Sequence, residues 1–354
     1  MTRAALAMLA LAAAGLPPAT APDPRALLKA EALLTDVDAQ LLDAGGIVAK
    51  VLDSPDHAEI VSFAVLRVRA DADRFLECMR DVRCLKANED VVEVGRLGTS
   101  PSVRDLAGLS LDARDREYLS RCETGRCDVR LPDEAIEKFR TGVDWSSPQS
   151  PVTADALFRT TLADLAAAYL AKGNAALAQY HDNPRPVSVG ASLDELLRRR
   201  LFVLDGVPEV VGYLRDFPAA SLGATDDFLY WYKERFWRKT VVCLNHVTIY
   251  EKDDGPTPRV YVASKQLYAT HYHESSIELH LFVEDPAGDA GTLVFLSRAR
   301  ADIRPGGFNW LERVIIRRLV RGRLENQFRL LRSRLEQAPP RKKDRRHRPS
   351  RTTP

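Results

Sequence analysis

The chain has 354 residues, 45% of them apolar and 28% charged, with a formal net charge of +2 at neutral pH. That length carries the core of one large domain or two small ones. So small a net charge excludes a molecule that binds polyanions over its whole surface, and beyond the N-terminus no run approaches the ~18 apolar residues of a membrane-spanning helix.

In chain order, the first feature is Arg3 followed by the apolar run Ala4–Leu16, 13 residues long. It ends in Pro17-Pro18-Ala19-Thr20-Ala21, an A-x-A type cleavage site. This predicts a secretory signal over 1–21, and a periplasmic or secreted location. Residues 22–44 follow as an N-terminal helix, with Leu27, Leu28, Leu33, Leu34, Val37 and Leu41 at helical spacing and Gly45-Gly46 as its stop. Ile47–Leu52 and Glu59–Val68 alternate as strands around the turn Asp53-Ser54-Pro55-Asp56. Asp71 is placed to cap a helix running through Met79.

Five cysteines follow the expected export. Cys122 and Cys127 bracket a glycine-containing loop that a disulfide can close, and Cys78 and Cys84 are six apart around a helix end. Zinc and haem spacings are absent, and Cys243, in an apolar strand pattern, reads as a buried thiol. Val91–Gly95 and Cys127–Leu131 read as short strands. Ser102–Leu119 carries two short helical patterns, and Asp133–Phe139 begins a helix. A turn-rich stretch over 141–153 leads into a helix over Ala154–Gln179, then shorter ones over Leu193–Leu204 and Glu209–Leu214.

Phe228, Tyr230, Trp231, Tyr232, Phe236 and Trp237 then crowd into ten residues. They read as a core helix, or as one wall of a ligand cavity. Next the period becomes two: Thr240–Tyr250, Arg259–Tyr272, Ile277–Glu284 and Thr292–Ala301 form an antiparallel meander. After Pro305-Gly306-Gly307, the spacing predicts a helix over Phe308–Gln337. Its stripe is Leu311, Val314, Ile315, Leu319, Leu324, Phe328, Leu331 and Leu335. It carries eight arginines against three glutamates, and the basic tail 339–354 is too polar to fold alone.

This order of elements resembles the helix-grip architecture of the START-like (polyketide cyclase and lipid-transfer) superfamily. The resemblance rests on Glu59–Val68 with Asp71–Met79, on the meander 240–301 and on the helix Phe308–Gln337. It covers 45–338, with 154–215 as a helical insertion. It implies an α+β fold: a curved antiparallel sheet packed on the long C-terminal helix, with an apolar cavity between them. It carries over no catalytic residue.

The expectation for function is therefore a binding protein for a lipid-like or other apolar small molecule. Tyr261, Lys265, Leu267, Tyr268, His271 and Trp231 are the expected lining. The basic helix and tail offer a second contact, an anionic membrane surface. Export and the lack of a stacking or groove-reading motif argue against nucleic acid. Two alternatives stand. His271 and His273, at i and i+2 of a strand, would share one face and with Glu278 hold a metal for an enzyme. Or the chain is a non-enzymatic interaction protein of the envelope. No G-x-S-x-G, Walker loop or H-E-x-x-H is present, and Asp226-Asp227 and Asp253-Asp254 read as loop acids. No cofactor is expected.

Overall fold

A computed structural model describes residues 28–337 other than 30, 32, 224, 253–256 and 302–309, and of 310–314 the backbone alone. The expected signal over 1–21, the tail 339–354 and the acid pair Asp253-Asp254 lie outside the described residues. In the expected N-terminal helix, the described turns begin anew at Thr35. Its extended backbone and side-chain oxygen cap a helix α1, Asp36–Asp43.

The fold is α+β. Strands β1 (Ile47–Leu52) and β2 (Glu59–Val68) precede helices α2 (Ala72–Arg80) and α3 (Val82–Leu85), then β3 (Val91–Arg96). Asp71 caps α2 by accepting from the Arg74 amide, as its position implies. A long segment follows with helices α4 (Ala113–Leu119), α5 (Asp133–Gly142) and α6 (Ser150–Lys172), a two-stranded β4 (Gln179–Tyr180) and β5 (Val187–Ser188), then α7 (Val189–Arg198) and α8 (Pro208–Asp216). Strands β6 (Thr225–Phe236), β7 (Lys239–Lys252), β8 (Arg259–Ala269), β9 (His273–Glu284) and β10 (Gly291–Ala301) lead to the terminal helix α9 (Trp310–Glu336).

Eight strands make one open antiparallel sheet in the order β1-β2-β10-β9-β8-β7-β6-β3. Each face needs a cover. Helix α9 lies on one: Leu324, Phe328, Leu331 and Leu335 pack with Ala64, Leu66, Phe282, Leu293 and Phe295. The segment 97–223 lies on the other. There Phe158 and Leu162 of α6 meet Trp231, Leu244 and Tyr268, and Leu193 and Leu196 of α7 meet Phe63, Ala263 and Leu279. The helical insertion thus begins well before residue 154, directly after β3.

Several elements differ from the sequence reading. Residues 228–236 are strand, not helix. Both faces of β6 are covered and both are apolar, which erases the period-two signal. Cys127–Leu131 makes no strand; Arg130 instead donates its amide to the Thr270 carbonyl. Within α9, Ile316 is buried and Ile315 is 52% exposed, so the stripe passes one residue from its expected place.

The cysteine pairs Cys78–Cys84 and Cys122–Cys127 both sit at disulfide distance, with Cα separations of 5.2 and 4.6 Å. Cys243 is buried and free. Among the described residues, no helix is long and apolar enough to cross a membrane.

Candidate functional site

A cavity of about 140 Å³ lies between the sheet and α9. One wall comes from α9, through Val320, Arg323 and Leu324; the floor comes from the inward residues of β2, β6, β8, β9 and β10. Tyr232, Phe236 and Phe295 give it aromatic sides, whereas Gln266, His273, Ser276 and Glu278 make its floor polar. His273, Ser276 and Glu278 keep partial solvent contact, so the space is not sealed.

The floor is organised by an ion pair. Lys86, which ends α3, sets its Nζ 2.9 and 2.8 Å from the two carboxylate oxygens of Glu278 and 4.6 Å from the centre of the Tyr232 ring. The Cys78–Cys84 pair joins α2 to α3 just ahead of Lys86 and fixes its approach. Burial works against both charges. The Glu278 carboxylate nevertheless keeps the Lys86 ammonium well above the ordinary lysine range, and Lys86 in turn holds Glu278 below the ordinary carboxylate range. Glu234 behaves oppositely. Burial raises it, and Arg323, 3.5 Å away and shared with Asp90 at 3.1 Å, offsets this only in part.

Two atoms of the lining have no partner, Nε2 of Gln266 and Nδ1 of His273; nor has either ring nitrogen of His280, which packs against Phe295 and Phe328 outside the lining. The Gln266 carbonyl already accepts from Ser276 at 3.1 Å, which leaves its amide N–H aimed at nothing. Gln266 is 2% exposed and His280 1%. Burial depresses both imidazoles, His273 to about 4 and His280 to about 4, so each is neutral at pH 7. A buried donor without an acceptor costs ~1–3 kcal/mol. Such atoms beside a cavity mark where an occupant with polar groups would bond.

None of the six expected lining residues borders this cavity. Tyr261, Lys265, Leu267, Tyr268 and Trp231 lie on the opposite face, under the insertion. Simple alternation puts Leu267 and Ala269 on one face and Tyr268 on the other. A bulge between the pairs Leu244–Tyr268 and Asn245–Gln266 instead turns both Leu267 and Tyr268 to the insertion and leaves Ala269 facing α9. Trp231 donates its indole N–H to the Asp105 carbonyl at 3.0 Å, and Tyr268 its hydroxyl to that of Arg130 at 2.8 Å.

The histidines separate for the same kind of reason. Strand β8 ends at Ala269, Tyr272 takes a left-handed backbone (φ 63°), and the turn falls at 270–272, not at Glu274-Ser275-Ser276. His271 therefore meets Asp115, 2.9 Å away under the insertion. A second bulge, beside Glu274, pairs His273 with Ala301 and brings it to the cavity face with Ser276 and Glu278. The i, i+2 rule fails because no strand runs through 270–272. Among the described residues, no group of three His, Cys, Asp or Glu side chains is placed to hold a metal ion.

Sequence reasoning missed a second buried network, on the insertion side. Asp227, which is in β6 and not in a loop, accepts from His246 Nε2 at 2.9 Å, Thr248 at 2.7 Å and Tyr213 at 2.7 Å. His246 Nδ1 lies 2.8 Å from the Tyr169 hydroxyl. Lys265, fully buried, donates to Asn174 Oδ1 at 2.9 Å and the Leu214 carbonyl at 2.8 Å. Its nearest rings are Tyr169 and Phe217, and burial lowers its pKa to about 7. These groups are occupied with one another. Lys265 fastens the insertion to the sheet and does not face the terminal helix.

No protein family model matches this chain, and no curated protein matches it.

Proposed function

We propose that this is an exported protein that binds one small amphipathic molecule between the sheet and α9. The observation that carries the reading is the cavity under α9, whose aromatic sides and orphan polar floor call for an occupant with both characters. The START-like resemblance supports it, since a long terminal helix over an antiparallel sheet with a cavity between is what that likeness implies. The two cysteine pairs support an oxidising compartment, periplasmic or secreted.

Size narrows the ligand. An apolar cavity of roughly 150 Å³ holds a benzene-sized ring, so about 140 Å³ seats a ring or one end of a lipid and not a whole acyl chain. The polar end meets Gln266 and His273, and the apolar part lies against Tyr232, Phe236 and Phe295. Neutral histidines and a self-compensated Lys86–Glu278 pair favour an uncharged polar group, such as a hydroxyl or carbonyl, over a free anion.

Native mass spectrometry of protein extracted gently from its own cells tests this. We expect an adduct of one small molecule per chain. Ala299, whose methyl borders the cavity, is the point to fill it. Ala299→Phe lowers adduct occupancy on the order of tenfold or more, about 1.4 kcal/mol, while a melting curve checks that the sheet survives. A bare mass for the natural protein, or an adduct that persists in Ala299→Phe, overturns the reading.

A further inference from the structure

Strand β6 has two sides, and its end joins two hollows. Glu234 and Phe236 border the cavity under α9, whereas Arg235 and Trp237 border a second hollow of about 190 Å³ outside it. That second hollow lies between the tip of the β6–β7 hairpin and the start of α4. Its cations are Arg114, Arg235, Arg238 and Lys239, and its acids are Asp112 and Asp115.

The acids are committed elsewhere. Asp115 meets His271 at 2.9 Å, and Asp112 meets Lys233 at 3.2 Å. Lys239 has Asp128 at 3.6 Å. Among the described residues, Arg114, Arg235 and Arg238 form no ion pair with a carboxylate, and all three are exposed. Arg114 reaches across to the Arg238 carbonyl at 3.4 Å, which brings its guanidinium to the hairpin tip. Trp237 lines the same hollow, 43% exposed on a left-handed backbone (φ 53°). Among residues whose exposure is described, it is the only exposed aromatic.

We propose that this hairpin tip is a docking surface for an anionic lipid bilayer, with a lipid phosphate seated among Arg114, Arg235 and Arg238 and the Trp237 indole in the headgroup layer. Guanidinium forks match phosphate oxygens, and tryptophan is the side chain most at home at that interface. A bilayer fits better than a soluble anion because the hollow is bordered by an exposed apolar ring, which a free anion does not use. It fits better than a protein groove partner because the tip joins three unpaired guanidiniums to one exposed indole, the combination that a headgroup layer takes up. The position also has a use. Arg323 of α9 binds the Arg235 carbonyl at 3.0 Å, so a surface gripping the tip lies one residue from the wall of the first cavity. The inference goes beyond the ligand reading and stands if that reading falls, because no residue altered below borders the cavity under α9.

The test is flotation of the full chain with phosphatidylcholine vesicles, with and without phosphatidylglycerol, while tryptophan emission is recorded. The natural chain floats with the anionic vesicles only, less so at high salt, and its emission shifts to the blue. With ~1 kcal/mol per basic residue near the surface, Arg235→Gln/Arg238→Gln reduces partitioning on the order of tenfold or more. Trp237→Ser keeps the charge, weakens flotation and loses the blue shift; it serves as the second variant if the first does not fold. Flotation of the double variant at the natural level overturns the proposal, as does equal binding to uncharged vesicles. So does stabilisation by inorganic phosphate without flotation, which would make this a site for a soluble anion. Capture of a protein partner that needs Trp237, without vesicle binding, would overturn it as well.

Discussion

Replacing Glu278 with leucine destabilises the protein by roughly 3–5 kcal/mol, the cost of leaving a buried ion without its partner. The Lys86 ammonium, its side chain 8% exposed, then keeps only the face of Tyr232 at 4.6 Å and the more distant Glu234. The double variant Lys86→Met/Glu278→Leu recovers most of that loss, because two apolar side chains of similar volume need no counter-charge. Urea unfolding of the four proteins in the cycle measures the coupling directly. Additive losses would mean that the pair is solvated and does not organise the cavity floor. Glu278→Gln separates charge from shape: it keeps an acceptor for Lys86 and loses only the ionic part, so it falls between natural protein and leucine variant.

That pair was not legible in the sequence. Its members are separated by 192 positions and by the whole insertion. What was legible is local. The meander, its turn-rich links and the long helix follow from period and punctuation, and the helix cap at Asp71 follows from residue type. Cys122 and Cys127 are close enough along the chain that only the loop between them decides their meeting. Which face each strand residue takes was another matter. It needs an unbroken count of two, and this sheet breaks the count at Leu267–Tyr268 and again beside Glu274. Neither bulge has a glycine or proline to announce it. Tyr261 and Lys265 lie before the first bulge and share a face as the count of two implies. They were read as cavity residues because that face was assigned to the terminal helix, whereas the cavity's own polar groups, Gln266 and Glu278, lie on the other side.

Two covers make two interiors of different character. On the insertion side the titratable groups bond to one another, as in the chain from Asp227 through His246 to Tyr169, although Trp145 Nε1, Ser275 Oγ and Arg298 Nε there have no partner. Under α9, amide and imidazole nitrogens have been left open. Orphan atoms are costly in a core, and those on the lining of the cavity under α9, Nε2 of Gln266 and Nδ1 of His273, are the ones an occupant can reach.

Burial on both faces sets an expected pH dependence of stability. His273 and His280 fall from 6.5 to about 4 on folding, through burial first and, for His273, the nearby Arg130. Between those values the unfolded chain holds protons that the folded one refuses. The contribution of the two histidines is therefore complete above pH 6.5 and is lost as pH falls through 4, by at most ~1.4 kcal/mol per pH unit for each group. His280, 1% exposed between Phe295 and Phe328, gives nearly its full share; His273 keeps some water contact and gives less. Lys265 extends the slope upward. Its pKa falls from 10.5 to about 7, so the folded state again holds fewer protons, and stability rises with pH between 7 and 10.5. Melting temperatures taken across both windows check this, with His280→Phe and Lys265→Met as controls. His280→Phe, a ring among rings, removes its part of the acid slope and gains more at pH 4 than at pH 7. Lys265→Met removes the rise above pH 7 although it strands Asn174 Oδ1 and the Leu214 carbonyl. A flat profile above pH 7 in the natural protein would mean that Lys265 stays charged inside the fold. An unchanged acid slope in His280→Phe would mean that its imidazole already has a partner within the fold.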